Sequence, residues 1–185
     1  MGSAVVGTVA GETPGGAVGG GLRLERVGYG HPDALRLVAQ VQAEYTVLYG
    51  SPDESPMEPA EFEPPAGSFF VGYAPGGEAV ATGAWRARPD VVEPRIGRAA
   101  EIKRMYVAPT HRGRGYSRAV LAHLESDAVT AGFDGLVLET GLMQPAAIAL
   151  YRSAGYAEVG AYGHYRDSEQ SVYLGRSLGG RRAAG

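Results

Sequence analysis

"RMYVAPTHRGRGYSRAVL", residues 104–121, decides how this chain folds. It opens like a strand and closes on apolar residues at helical spacing. Between the two lie Arg112, Gly113, Arg114 and Gly115, with Arg118 further along. A helix N-terminus presents unpaired backbone N–H groups and a partial positive charge. Glycine lets an anion come close to those groups, and arginine adds charge and planar donors. Strand, Gly/Arg loop and helix together read as a cradle for a phosphate.

Working outward, the flanking segments build one mixed sheet. "LRLERVGY" (22–29) alternates and predicts a strand. Residues 32–50 predict an amphipathic helix, with Pro32 in its first turn, Leu35, Val38, Val41 and Tyr45 at helical spacing, and Gly50 as its stop. An acidic, proline-rich connector follows at 51–65. Two apolar runs around Pro-Gly-Gly in 67–88 signal a hairpin. Residues 99–108 read as a strand and 115–131 as a helix carrying Val120, Leu124 and Ala128 inward. "GLVLET" (135–140) is a continuous apolar run, as expected of a strand covered on both faces. A short helix at 144–156 and two closing strands, "YAEVGAY" and "QSVYLGRSL", complete the series. The crossover over 99–140 requires a parallel pair, whereas the strands before it are antiparallel. The fold class is α/β, with a single mixed central sheet flanked by helices.

The 185 residues suit one domain. Residues 1–21, Gly-rich with almost no large apolar side chain, are expected to be disordered, as is a flexible tail at 179–185, leaving a domain at 22–178. A net charge of −3 and the lack of an extended basic stripe speak against nucleic acid, so a basic site must be local. There is no cysteine, and the four histidines show no metal-ligand spacing, so no metal is expected. No apolar run reaches the roughly 18 residues of a membrane helix, and no signal peptide is visible, so the expectation is cytoplasmic, without a membrane partner.

Two phosphate-binding patterns fit poorly. The Walker pattern needs a lysine in the loop, and the one lysine of the chain is Lys103. A dinucleotide fingerprint would use Gly113 and Gly115, with Glu139 on the next strand as ribose-binding acid, but Arg118 occupies the place of the third glycine.

Arg112-Gly113-Arg114-Gly115-Tyr116-Ser117 closely resembles motif A of the GNAT (GCN5-related N-acetyltransferase) superfamily, [RQ]-x-x-G-x-[GA], with Ser in the last position. "QPAAIALYRSAGY" resembles that family's motif B helix, placing Gln144, Ala147, Leu150, Tyr151, Gly155 and Tyr156 on its pattern, with Gln for Asn at the start. The resemblance covers residues 99–156 and implies a sheet whose fourth and fifth strands splay around a pantetheine arm. It implies transfer of the acetyl group of acetyl-CoA, a co-substrate, to a primary amine of a small molecule by direct attack. A non-enzymatic acyl-CoA-binding regulatory domain is the alternative. Homodimers are frequent among such proteins.

Acetyl transfer requires a neutral amine, a held carbonyl, a stabilised oxyanion and a leaving thiolate. The resemblance makes Glu101 the candidate base, commonly through water, and Tyr151 the acid for the thiolate. Pleating is expected to set Glu101, Lys103, Met105 and Val107 on one face. The resemblance implies that main-chain groups of Met105, Tyr106 and Val107 serve the oxyanion and the pantetheine. Arg112, Gly113, Arg114, Gly115, Tyr116 and Ser117 would cradle the pyrophosphate, with Gln144 at the start of the motif B helix. Asp53, Glu54, Glu58, Glu61 and Glu63 are candidates to attract a cationic acceptor, and Trp85, Tyr45, Tyr162 and His164 to line its pocket. The sequence leaves the acceptor's identity, the oligomeric state and a preference for longer acyl chains open.

Overall fold

In the computed structural model, residues 17–18 and 21–179 are described. Eight strands among them form one sheet: β1 (Ala17–Val18), β2 (Leu22–Val27), β3 (Gly67–Tyr73), β4 (Ala79–Ala87), β5 (Ala99–Val107), β6 (Gly135–Gly141), β7 (Ala157–Glu158) and β8 (Ser171–Ser177). Their order is β1-β2-β3-β4-β5-β6-β8-β7. The helices are α1 (Pro32–Tyr49), α2 (Tyr116–Thr130) and α3 (Pro145–Ser153). The class is therefore the expected one, mixed α/β. Most of 1–21 and of 179–185 lies outside the described residues, but Ala17 and Val18 pair with Arg23 and Leu22. "YAEVGAY" contributes only Ala157–Glu158 as strand.

The parallel pair is short. β5 and β6 are in register only from Ala99–Glu101 to Gly135–Val137, after which they part. This is the expected splay, and it opens toward the Arg/Gly loop because both strands run that way.

Each face of the sheet carries its own core. On one, α2 packs Val120, Leu124 and Ala128 with Trp85, Ile102, Leu136 and Leu138. That approach depends on Gly83, where a Cβ would stand 2.5 Å from Val120 Cγ1. On the other, α1 packs Leu37, Val38 and Val41 with Phe62, Phe69 and Tyr106. Leu35, expected inside, is 48 % exposed, and Ala34 and Leu37 take the inner stripe instead. Pro32 does begin α1 and Gly50 caps it in the left-handed region, φ 83°. No helix among the described residues is long and apolar enough to cross a membrane.

One irregularity in β5 reorients the site. Thr82 pairs with Tyr106 and Ala84 with Lys103, so Arg104 and Met105 together stand opposite Gly83. Arg104 takes φ 52°, the one non-glycine at positive φ among the described residues. This bulge breaks the alternation expected for the strand. Met105 and Val107 join Ile102 on the α2 face, while Tyr106 falls on the α1 face. Glu101, Lys103, Met105 and Val107 therefore do not share a face, which corrects the pleating expectation.

Candidate active site

After Val107 the chain makes one 3-10 turn, Pro109–His111, and reaches α2 through Gly113 and Gly115 at φ 77° and 79°. No side chain caps α2, and Ala119 N–H reaches back to Gly115 O at 3.1 Å. A Cβ at either glycine would meet nothing within 4 Å, so the space before the helix mouth is open. An uncapped helix start behind two left-handed glycines fits a coenzyme diphosphate.

The side chains of this turn divide. Arg112 turns back: its Nε donates to Val107 O at 2.9 Å, and its Nη2 donates to Glu44 Oε1 and Oε2 at 2.7 and 2.8 Å. It braces the loop against α1, which leaves its main chain rather than its side chain facing the open space before α2. Arg114 and Arg118 are exposed, and Ser117 is half-buried. The Tyr116 ring is buried in the core beneath α2, so its main chain is the part available to a phosphate.

A cavity of about 390 Å³ follows from the splay. Ile102, Lys103, Arg104 and Met105 line it from β5, Leu138, Glu139, Thr140 and Gly141 from β6, Gln144, Ala147 and Tyr151 from the α3 side, and Tyr45 and Tyr49 from α1. Tyr151 is buried, and its hydroxyl donates to Met105 Sδ at 3.6 Å, a soft acceptor. Burial, reinforced by Tyr45, pushes its phenol pKa well above the usual value. Burial likewise pushes Tyr45 up to about 12, against the pull of Arg104. Gln144 sits at the start of α3 without capping it, and its Nε2 reaches Tyr49 Oη at 3.5 Å.

A second cavity, about 530 Å³, shares Lys103, Glu139 and Tyr165 with the first. Its lining also includes Glu58, Glu61, Arg86, Arg88, Asp90, Glu101, Tyr162 and His164. Tyr162 and His164 thus line this cavity and Tyr45 the first, whereas Trp85 is buried on the α2 face with its Nε1 donating to Asp127 at 2.8 Å. Trp85 is core, not pocket.

Glu101 belongs to the second cavity, not to the one holding Tyr151. It stands opposite Arg86 on β4, and its Oε2 accepts from Arg86 Nε at 2.9 Å and Arg88 Nη1 at 2.6 Å. Glu139 is different. It lies where the two cavities meet, accepts from Ser171 Oγ at 2.7 Å, and has no ion-pair partner among the described residues. Burial raises its carboxyl pKa, with the Ser171 hydrogen bond and Lys103 opposing. Spacing singled Glu139 out only as a ribose ligand, and its junction position depends on where β5 and β6 part.

The acidic connector is not uniformly free to attract a cation. Asp53 is paired with Lys103 and Arg104, and Glu61 with Arg86. Glu54, Glu58 and Glu63 remain exposed.

The profile of the Acetyltransferase (GNAT) family matches residues 37–156. An IAA acetyltransferase of Azospirillum brasilense is 42% identical over 78 residues, covering 42% of this chain and 51% of that protein. N-acetyltransferase 8 of Mus musculus is 38% identical over 95 residues, covering 51% of this chain and 40% of its own. The matched region thus spans about half or less of these relatives' length. A solved Klebsiella pneumoniae protein classed with the acyl-CoA N-acyltransferases superposes with TM-score 0.70 at 29% identity, covering 86% of this chain and 99% of its own.

Proposed function

Since the chain belongs to the GNAT family of acetyltransferases, we propose that it moves the acetyl group of acetyl-CoA to a primary amine of a small molecule by direct attack. The observation that carries this reading is that β5, which lines the splay through Met105, leads directly into the turn before the uncapped α2 mouth. A diphosphate at Gly113 and Gly115 directs the rest of the coenzyme into a slot that has Tyr151 on one side and Glu139 on the other.

The two faces of the sheet divide the chemistry. Leu136 and Leu138 point into the α2-face core, so Glu139 projects to the opposite face, while Tyr151 packs on the α2 face. The amine approaches from the second cavity. Its lining holds five carboxylates, Glu58, Glu61, Asp90, Glu101 and Glu139, against three cations, Arg86, Arg88 and Lys103, which favours a cationic acceptor. Glu139, directly or through a water, accepts the ammonium proton. Its environment and the ion pairs of Glu101 favour Glu139 over Glu101 as base. The neutral nitrogen then attacks the thioester carbonyl, with the Met105 main chain, outside the β4 register, offered to the developing oxyanion. As the carbon–sulfur bond breaks, Tyr151 gives its proton to the thiolate, while the second proton of the acylated nitrogen passes to solvent, which reprotonates the phenolate, so that a neutral amide and a free thiol leave. A phenol is protonated at neutral pH, as an acid must be, and burial, which raises its pKa, holds the proton on Tyr151 until negative charge develops on the departing sulfur.

Thiol release from acetyl-CoA across a panel of cationic, zwitterionic and anionic primary amines tests the proposal. Turnover led by a cationic amine supports it. Coenzyme binding with no thiol release from any amine contradicts it.

A further inference from the structure

Asp53, in the connector between α1 and β3, touches more elements than any surface carboxylate needs. Its Oδ2 accepts from Arg104 Nη1 at 2.5 Å and lies 3.6 Å from Lys103 Nζ. Its Oδ1 accepts from Tyr165 Oη at 3.0 Å and from Ser55 N–H at 2.9 Å. Its own N–H donates to Gln42 Oε1 on α1 at 2.8 Å. Burial opposes ionisation of Asp53, yet Lys103 and Arg104 outweigh it and hold the carboxyl well below the usual range.

Arg104 is the unusual partner. A left-handed backbone at a non-glycine residue costs about 1–3 kcal/mol and persists only where its surroundings enforce it. Two contacts enforce it here. Thr82 Oγ1 donates to Arg104 O at 2.7 Å, fixing the main chain, and Asp53 holds the guanidinium, whose Nε is buried without a partner. The bulge at Arg104 is what rotates Met105 to the Tyr151 side and lines the splay with the β5 main chain.

We propose that Asp53 is a positioning residue: by gripping the Arg104 guanidinium it holds the β5 bulge left-handed and so shapes the β5 edge against which pantetheine lies. This rests on the acetyl-CoA reading above. The connector is then a brace on the strand that forms the slot, and its acidity at Asp53 serves the protein's own cation.

The test separates the two ends of the coenzyme. CoA and adenosine 3′,5′-bisphosphate, which lacks pantetheine, are titrated calorimetrically into wild type, Asp53→Asn, Arg104→Gly and the double variant. The NMR Cα shift at position 104 reports the backbone conformation with no ligand present. Asp53→Asn should take Arg104 out of the left-handed region and weaken CoA about tenfold, as a displaced positioning contact does, with the bisphosphate unchanged. Glycine takes positive φ without a grip, so Arg104→Gly and the double variant should bind CoA within about twofold of wild type. Should Asp53→Asn fail to fold, Arg104→Gly still decides: if that variant folds but has lost CoA affinity, the proposal is overturned. An Asp53→Asn variant that keeps Arg104 left-handed, keeps wild-type affinity for CoA, or weakens both ligands equally overturns it as well. If wild type binds neither ligand the coenzyme reading itself falls, while the NMR shift still judges the grip of Asp53 on the strand.

Discussion

In the proposed mechanism Tyr151 and Glu139 carry opposite duties, because one must hold a proton and the other must accept it. Tyr151→Phe keeps the ring and removes the proton, so kcat should fall about 100-fold while CoA affinity stays near wild type, measured by thiol release and calorimetry. As the proposed base Glu139 works unprotonated, and burial raises its pKa, so activity should climb with pH through a value above that of an ordinary glutamate. Glu139→Gln should erase that acidic limb from the pH profile. Glu101→Gln should leave the limb in place but destabilise the fold by about 3 kcal/mol, because Arg86 and Arg88 lose their shared buried carboxylate. A Glu101 variant that loses the limb would return the base to that position. Neither role could be apportioned from sequence. Both glutamates lie on largely buried strands, and what tells them apart is the arginine pair beside Glu101, which depends on the register of β4 against β5.

At the scale of elements, the bulged β5 and β6 line the slot, and α2 packs against the sheet that holds them. Gly83 lets α2 settle on β4, so Gly83→Ala should cost about 1–3 kcal/mol in denaturant unfolding, since Val120 must shift. The connector contributes through Asp53. Its native carboxyl stays ionised to lower pH than the unfolded one, so unfolding takes up a proton and stability falls as pH drops below about 4. Asp53→Asn should flatten that acid-side loss in a urea titration series, and an unchanged slope would refute the pairing. Strands and helices are legible in the sequence where punctuation is strong, as at Pro32, Gly50, Pro-Gly-Gly and Gly155. The bulge is not. "AAEIKRMYV" alternates smoothly enough to predict one face, and the extra residue, which sets Arg104 and Met105 together opposite Gly83, depends on pairing with β4 and on contacts from Thr82 and Asp53, all distant in sequence. The same tertiary cause misplaces Leu35: α1 rolls to pack Ala34 and Leu37, a choice set by the sheet beneath it.

Over the whole molecule, the division of the sheet into two faces gives the proposed reaction its direction. In that proposal the coenzyme lies in the gap between β5 and β6, the acceptor enters from the cavity on the α1 face, and the acid, Tyr151, lies on the α2 face. The Gly113–Gly115 turn, proposed to hold the diphosphate, is the part most legible in the sequence, because glycine spacing and a helix start are local properties. The proposed acceptor cavity is not local: Glu58, Arg88, Glu139 and Tyr165 come from four distant segments that only the folded sheet brings together. The most direct measurement is a calorimetric titration of CoA into wild type and Gly115→Glu, which puts a side chain and a negative charge at the mouth of α2. The account predicts that wild type binds and that the variant loses at least about tenfold in affinity, because charge at a helix start governs anion binding there. Equal affinity for the two proteins would contradict it.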